Sequence, residues 1–107
     1  METPTYTFVP DLAAEAEIPR RGIHSQTVSE SAGVELVLFA MAAHERLSEH
    51  TAARPAIVHV LSGTGTLTVD GDSHSLTAGS WLRMAARTPH AIDAATDLVF
   101  ALYLLPG

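Results

Sequence analysis

The sequence predicts an all-β domain, either a sandwich or a barrel, built from about nine short strands. Short runs of alternating or β-branched residues recur along the chain, and turn-forming residues separate nearly all of them. The length of 107 residues, of which 47% are hydrophobic, suffices for one core and not for two. We therefore expect a single folded domain.

The clearest strands flank a glycine-rich break in the middle of the chain. Ile57–Leu61 is apolar and rich in β-branched residues, and it is too short for a helix of ordinary length. Thr66–Val69 alternates polar and apolar residues, which is the period of a half-buried strand. Asp70-Gly71 follows, and this dipeptide is a strong hairpin signal because glycine readily adopts positive φ.

Residues 1–21 are predicted to form an N-terminal extension. Within it, Thr5–Val9 alternates and could form a short edge strand. Asp11 is a predicted helix N-cap, and the residues after it, Leu12–Glu17, favour one or two helical turns. Pro19 ends that segment because the residue before a proline is pushed out of the helical region.

Residues 22–107 are predicted to form the β domain. Val34–Ala43 has a composition that would permit a helix, but its valines and phenylalanine, and Gly33 at its boundary, favour a strand. Beyond the central pair, the predicted strands are Ile23–Ser29, Val34–Ala43, Leu47–Thr51, Ser73–Leu76, Ser80–Met84, His90–Ala94 and Leu98–Leu105.

Composition excludes several classes of function. The chain has no cysteine, which excludes disulfides, thiolate metal ligands and cysteine nucleophiles. A net charge of −6 without any lysine argues against nucleic acid and anionic membranes as partners. No apolar run approaches the roughly 20 residues needed to span a bilayer, and no signal peptide is visible, so a cytoplasmic location is predicted. The six histidines are the side chains best suited to borderline metals.

Two glycines and two histidines have a spacing that resembles the small single-domain cupins. In the first motif of that family, a His-x-His pair and a glutamate precede a glycine. Counting back from Gly63 puts the glutamate position at Ala56, and the histidine pair at His50 and Ala52. The resemblance implies the RmlC-like double-stranded β-helix, which is a jelly-roll barrel, with the N-terminal helical segment as an addition to it.

The second cupin motif places a histidine after a glycine and a proline. Counting forward from Gly79 puts the proline position at Ala85 and the histidine at His90. Metal sites of the family typically use both histidines and the glutamate of the first motif together with this histidine. Of these, His50 and His90 remain, so the resemblance implies an incomplete metal set.

A third ligand would have to come from outside the family's positions. His24 and Glu35 lie on early strands whose register the sequence does not fix, so either could reach the cavity. His59 should face out of the barrel if Ala56 faces in, because side chains alternate along a strand. His44 lies at a predicted turn and His74 follows the Asp70-Gly71-Asp72 hairpin turn, so both are expected on the surface.

The leading function hypothesis is a cupin that binds a small organic molecule in the barrel cavity, with a degenerate metal site and no certain cofactor. Alanines at positions 52, 56 and 85, together with Met41, Met84, Phe39 or Trp81, would give that cavity apolar walls. The alternative is a metal-dependent cupin enzyme of the dioxygenase or isomerase type, with His50 and His90 holding a divalent ion. A purely structural or partner-binding role is a third possibility.

Catalysis without a metal has little support in the sequence, although one of the two histidines could act as a general base. No serine lies in a nucleophile-elbow context, and no carboxylates are paired at a spacing typical of acid–base work. The family resemblance also implies a homodimer. Val34–Ala43 and Leu98–Leu105 support this because each is apolar on both faces.

Overall fold

The computed structural model describes residues 5–107, which form nine strands and one short 3-10 turn. The 3-10 turn spans Ala13–Glu15. The strands are β1 (Ile23–Ser31), β2 (Val34–Met41), β3 (Arg46–His50), β4 (Ala56–Ser62), β5 (Gly65–Val69), β6 (Asp72–Leu76), β7 (Trp81–Met84), β8 (His90–Ala94) and β9 (Leu98–Leu104).

The strands form two antiparallel sheets. The five-stranded sheet has the order β1-β2-β9-β4-β7, and the four-stranded sheet has the order β3-β8-β5-β6. From β2 onward the chain passes to the other sheet at every connection except the β5–β6 hairpin, as in a jelly roll. The predicted all-β class and the double-stranded β-helix are confirmed, and the strand interpretation of residues 34–43 is correct.

The first hairpin shows how local sequence sets a strand boundary. The sequence predicts that the first strand ends at Ser29, whereas β1 continues to Ser31, which pairs with Val34. The turn therefore contains only two residues, Ala32 and Gly33, with φ of 53° and 80°. A two-residue hairpin with positive φ at both positions matches the twist of the flanking strands.

The space between the sheets is filled by one apolar cluster. Every second residue of β4 points inward, and the side chains at these positions, Ala56, Val58 and Val60, are buried. Phe39 and Phe100 stack there with ring centroids 4.9 Å apart. The buried members of the cluster are Met41, Ala56, Val58, Val60, Leu67, Leu76, Met84, Ile92, Ala94, Leu98 and Phe100.

The N-terminal segment covers part of the outer face of the five-stranded sheet. Leu12 and Ala16 pack against Leu38, Ala40 and Val99, which are nearly inaccessible to solvent. The second apolar face of β2 and β9 is therefore buried in part by the chain's own N-terminal segment. The homodimer predicted from that face stays a prediction, as does the domain boundary after residue 21.

One detail of the N-terminal prediction is wrong. Residues 5–9 form no strand, and Tyr6 and Phe8 remain 79% and 75% exposed, because no neighbouring strand pairs with them. The short helical segment predicted over Leu12–Glu17 is confirmed as a single 3-10 turn over Ala13–Glu15, since so short a segment cannot offset the cost of nucleating a longer α-helix. Residues 1–4 lie outside the described residues. Within residues 5–107, no helix is long and apolar enough to cross a membrane.

Gly63 fixes the point at which the chain passes from one sheet to the other. Its φ is +90°, and a Cβ there would overlap the backbone carbonyl of Asp97. A Cβ on Gly65, two residues later, would likewise overlap the backbone carbonyl oxygen of Asp93. Only glycine allows this approach, because any side chain would push the two backbones apart.

We predict that Gly63→Ala destabilises the protein far more than Gly79→Ala. Gly79 has a similar φ of +95°, but a Cβ added to it would meet no atom within 4 Å, so it is a matched control. Positive φ alone should cost about 1–2 kcal/mol, and the overlap at Gly63 should add at least about 2 kcal/mol. Urea unfolding of both variants measures the difference, and equal losses would contradict the role assigned to Gly63.

Candidate ligand site at His50 and His90

His50 and His90 lie opposite each other on neighbouring strands. β3 and β8 pair antiparallel, and His50 is the Cα partner of His90. The imidazole rings have centroids 4.2 Å apart and planes tilted by 58°. The structure therefore brings the two predicted site residues together at one end of the barrel, which we call the histidine end.

A one-residue bulge in β3 creates this pairing. Leu47 faces Ile92, so regular pairing would place Glu49 opposite His90. The ladder shifts between Leu47 and His50, and the additional residue moves His50 into that position. The bulge thus makes an imidazole, and not a carboxylate, the neighbour of His90.

Both imidazoles are anchored in the same way. The Nδ1 of His50 lies 2.8 Å from the carbonyl oxygen of Ser48, and the Nδ1 of His90 lies 2.8 Å from that of Thr88. A carbonyl oxygen only accepts hydrogen bonds, so each Nδ1 must carry the proton and donate. In the neutral ring, Nε2 then keeps a lone pair that can accept a hydrogen bond or bind a metal.

The two rings differ in exposure. His90 is only 7% exposed and is the one buried polar residue among residues 5–107. His50, in contrast, is exposed. Ala91 and Ile92, which follow His90 on β8, are buried in the core. The pair therefore joins a fixed inner imidazole to an outer one that solvent and ligands can reach.

The remaining ligand positions of the cupin motif offer no donor atom. Ala56 is buried on the inner face of β4, and Ala52 lies half-buried in the loop between β3 and β4. In residues 5–107, no group of three or more His, Asp or Glu side chains could hold a metal ion. The residues present therefore do not fit the complete metal set of the family.

Neither His24 nor Glu35 completes the pair. His24 is the partner of Ala40, which faces the N-terminal segment, so its side chain lies on the outer face of the sheet. Glu35 shares an inner-face row with Ala56, but β9 lies between their strands. At about 4.8 Å for each strand spacing, the two positions are about 10 Å apart.

The carboxylate of Glu35 is also already engaged. It accepts a hydrogen bond from the Thr27 hydroxyl at 3.0 Å and lies 3.7 Å from Nη1 of Arg54. The guanidinium of Arg54 donates to the carbonyl oxygens of Leu104 and Leu105 at 3.0 Å each, and to that of Gly33. Arg54 thus ties the β3–β4 loop to β9 and the first hairpin.

Other side chains considered in the sequence have different places. Met41 and Met84 belong to the packed core, and Trp81 is 60% exposed. His59 pairs with Trp81 on the outer face, which confirms its predicted orientation, and His44 is exposed at a turn. Neither the cavity beside Trp81 nor the one beside Gly33 and Arg54 is lined by His50 or His90.

We predict that His50 and His90 are Nδ1–H tautomers when neutral. Long-range ¹H–¹⁵N NMR spectra of the imidazole rings distinguish the protonated nitrogen from the unprotonated one. The exposed ring of His44 is an internal comparison, since no hydrogen bond fixes the tautomer of an ordinary solvated imidazole. Nε2–H tautomers at both positions would contradict the anchoring by Ser48 and Thr88.

Comparisons with solved structures agree with the observed fold. A conserved protein of unknown function from Streptococcus pyogenes is 23% identical and superimposes with a TM-score of 0.83, covering 99% of this chain and 93% of its own. A cupin superfamily protein from Desulfitobacterium hafniense is 24% identical with the same TM-score, and the coverage is 97% and 94%.

An enzyme with the same fold is more distant. Salicylate 1,2-dioxygenase from Pseudoaminobacter salicylatoxidans is 12% identical with a TM-score of 0.74, and the match covers 78% of this chain and 25% of the dioxygenase. These likenesses show the fold alone. No curated protein matches the chain.

Membership of a family is shown by a direct match. The family model of the cupin domain matches residues 37–105, which is more than half of the chain. That range contains both motif glycines and both histidines of the site. The chain therefore belongs to the cupin family.

Proposed function

We propose that this cupin binds a small organic molecule at the histidine end and holds no resident catalytic metal. The observation that carries the proposal is the pair of imidazoles, which face each other and are both anchored through Nδ1. Anchoring leaves an Nε2 lone pair on each of the two neighbouring rings. A ligand that donates one hydrogen bond to each ring satisfies both Nε2 atoms. A ligand that places a single proton between the two rings also satisfies both.

The net charge of the protein and the small apolar side chains at two motif positions limit the class of ligand. The net charge of −6 disfavours an anion and favours a neutral or cationic molecule. Ala52 and Ala85, which stand at family motif positions, provide small apolar side chains. A short hydroxyl or amino compound therefore fits the site better than a carboxylate or a phosphate.

The alternative is a metal-dependent cupin enzyme that uses the same two histidines. Its support is that metal-bound histidines usually donate a hydrogen bond from the N–H of their other ring nitrogen to a carbonyl or carboxylate, as both Nδ1–H groups do to carbonyls here. Against it stands the donor set, because catalytic zinc and similar ions normally take three protein ligands. Two imidazoles supply one ligand too few.

Metal analysis separates the two candidates. The protein is purified without an affinity tag or added metal, and its metal content is measured by elemental analysis. We expect substoichiometric metal and a melting temperature that Zn²⁺ and Ni²⁺ change equally in the parent protein and in the His50→Gln, His90→Gln double variant. Stoichiometric metal that the double variant loses would contradict the proposal and support the enzyme.

Ligand binding is tested on the same variants. Ethanolamine and ethylene glycol are titrated as probes, and the ring signals of His50 and His90 are followed by NMR. We expect these signals to shift saturably and acetate to shift them less. His44→Gln is the matched control because it removes an exposed imidazole outside the site. Absence of any shift with either probe would contradict the proposed ligand class.

A homodimer and a cytoplasmic location stay predictions of the sequence. Support for pairing comes from the part of the outer sheet face that the N-terminal segment leaves uncovered, where Ile57 and Tyr103 are half-buried neighbours. The proposed site needs no second copy, because both histidines come from one chain.

A further inference from the structure

The structure has a second place that suits a ligand, on the side of the barrel away from the histidine pair. β6 is the last strand of the four-stranded sheet and β7 the last strand of the five-stranded sheet. The barrel is therefore open between these two edges. A cavity of about 350 Å³ lies there, lined by Val58, His74, Ser75, Leu76, Ser80, Trp81 and Leu82.

The floor of this side cavity is apolar and belongs to the packed core. Val58 and Leu76 are 2% and 4% exposed and belong to the main core cluster. Leu82 pairs with Val58 across β4 and β7, so both side chains face the same inner side of the sheet. An apolar cavity of roughly 150 Å³ is enough to take up benzene, and small-molecule sites begin near 300 Å³.

The rim combines a large aromatic side chain with hydrogen-bonding groups. Trp81, at the start of β7, is 60% exposed and is the only tryptophan of the chain. His74 is the partner of the fully buried Leu67, so it lies on the inner face of β6 although it is itself exposed. The Oγ of Ser80 accepts the N–H of Thr77 at 3.0 Å, which leaves its O–H free to donate.

The absence of a fixed charge limits the class of ligand. Among the described residues, those lining the side cavity include no Asp, Glu, Lys or Arg. The side chains of Val58, Leu76 and Leu82 form an apolar floor that suits a flat ring, and Trp81 borders this floor from the edge strand β7. An imidazole and a hydroxyl can together orient one polar substituent on that ring.

We propose that the side cavity binds a neutral aromatic molecule that carries one hydrogen-bonding substituent, with its ring against the apolar side chains of Val58, Leu76 and Leu82, its edge beside Trp81, and its substituent near His74 and Ser80. This site is independent of the ligand proposed at the histidine end. Its residues come from β6, β7 and the turn between them, with Val58 of β4 as the floor.

The single tryptophan makes the proposal directly measurable. The probe is p-cresol, and the readout is the ¹H–¹⁵N signal of the Trp81 indole Nε1–H, which is unambiguous in this chain. We expect a saturable shift in the millimolar range or below. Benzoate, a similar ring with a negative charge, should bind at least about threefold more weakly, since nothing in the cavity compensates its charge.

Variants test the two halves of the cavity separately. Leu82→Phe fills the cavity from β7 and should weaken p-cresol binding at least about tenfold. His74→Ala removes a polar partner from an exposed position and should weaken it about threefold to tenfold. Arg83→Ala, an exposed neighbour that does not line the cavity, and His44→Ala are the matched controls and should bind as the parent does.

Three results would overturn the proposal. One is the absence of a saturable Trp81 shift with p-cresol at any soluble concentration. Another is equal binding by the parent, Leu82→Phe and His74→Ala proteins. The third is a shift that follows protein concentration alone, which would make Trp81 part of a contact between copies. The His50→Gln, His90→Gln variant should bind p-cresol unchanged, so failure of either proposed site is distinguishable from failure of the other.

Discussion

Two connections between the sheets lie directly against each other, and the rest of the fold depends on this contact. The Gly63-Thr64-Gly65 segment leads from β4 to β5, and the turn between β8 and β9 runs beside it. The main-chain N–H of Thr64 donates to the Thr96 hydroxyl at 2.9 Å, and the N–H of Ala95 donates to the Thr64 carbonyl at 2.9 Å. The absence of Cβ atoms at the two glycines lets the backbones meet, which sets the register of β5 on β8 and of β4 on β9.

That register determines where the histidine pair lies. β8 lies between β3 and β5, so its position is fixed on one side by the glycine crossing and on the other by β3. With β8 held, the bulge in β3 decides which side chain faces His90. Because β8 is held by the glycine crossing and β3 carries the bulge, a shift of one residue in β3 changes the side chain opposite His90 without disturbing the core. The histidine pair therefore depends on the register of β3 on β8 as much as on the presence of the two histidines.

The sequence alone predicted most strands because the chain alternates strand patterns with turn residues at nearly every boundary. It also located His50 and His90, since the spacing from Gly63 and Gly79 carries over from the family. The sequence prediction failed where a segment with a strand pattern has no strand to pair with. Thr5–Val9 alternates like a strand, but pairing depends on the tertiary structure, and no neighbouring strand is available to it. The bulge was also beyond sequence reasoning, because nothing in Leu47–His50 marks where a ladder shifts.

The same distinction explains why the side cavity escaped prediction. His74 follows a hairpin signal and was expected on the surface, and an exposed position on β6 agrees with that. His74 becomes a candidate ligand contact only because β6, the edge strand of one sheet, lies beside β7, the edge strand of the other, which begins at Trp81. No pattern along the chain predicts which two edges face each other across an open side. The motif positions of this cupin retain two nitrogen donors, while its single exposed tryptophan borders an opening that the motifs do not describe. Chemistry in this chain is therefore to be sought at both places, and sequence comparison with the family points to only one of them.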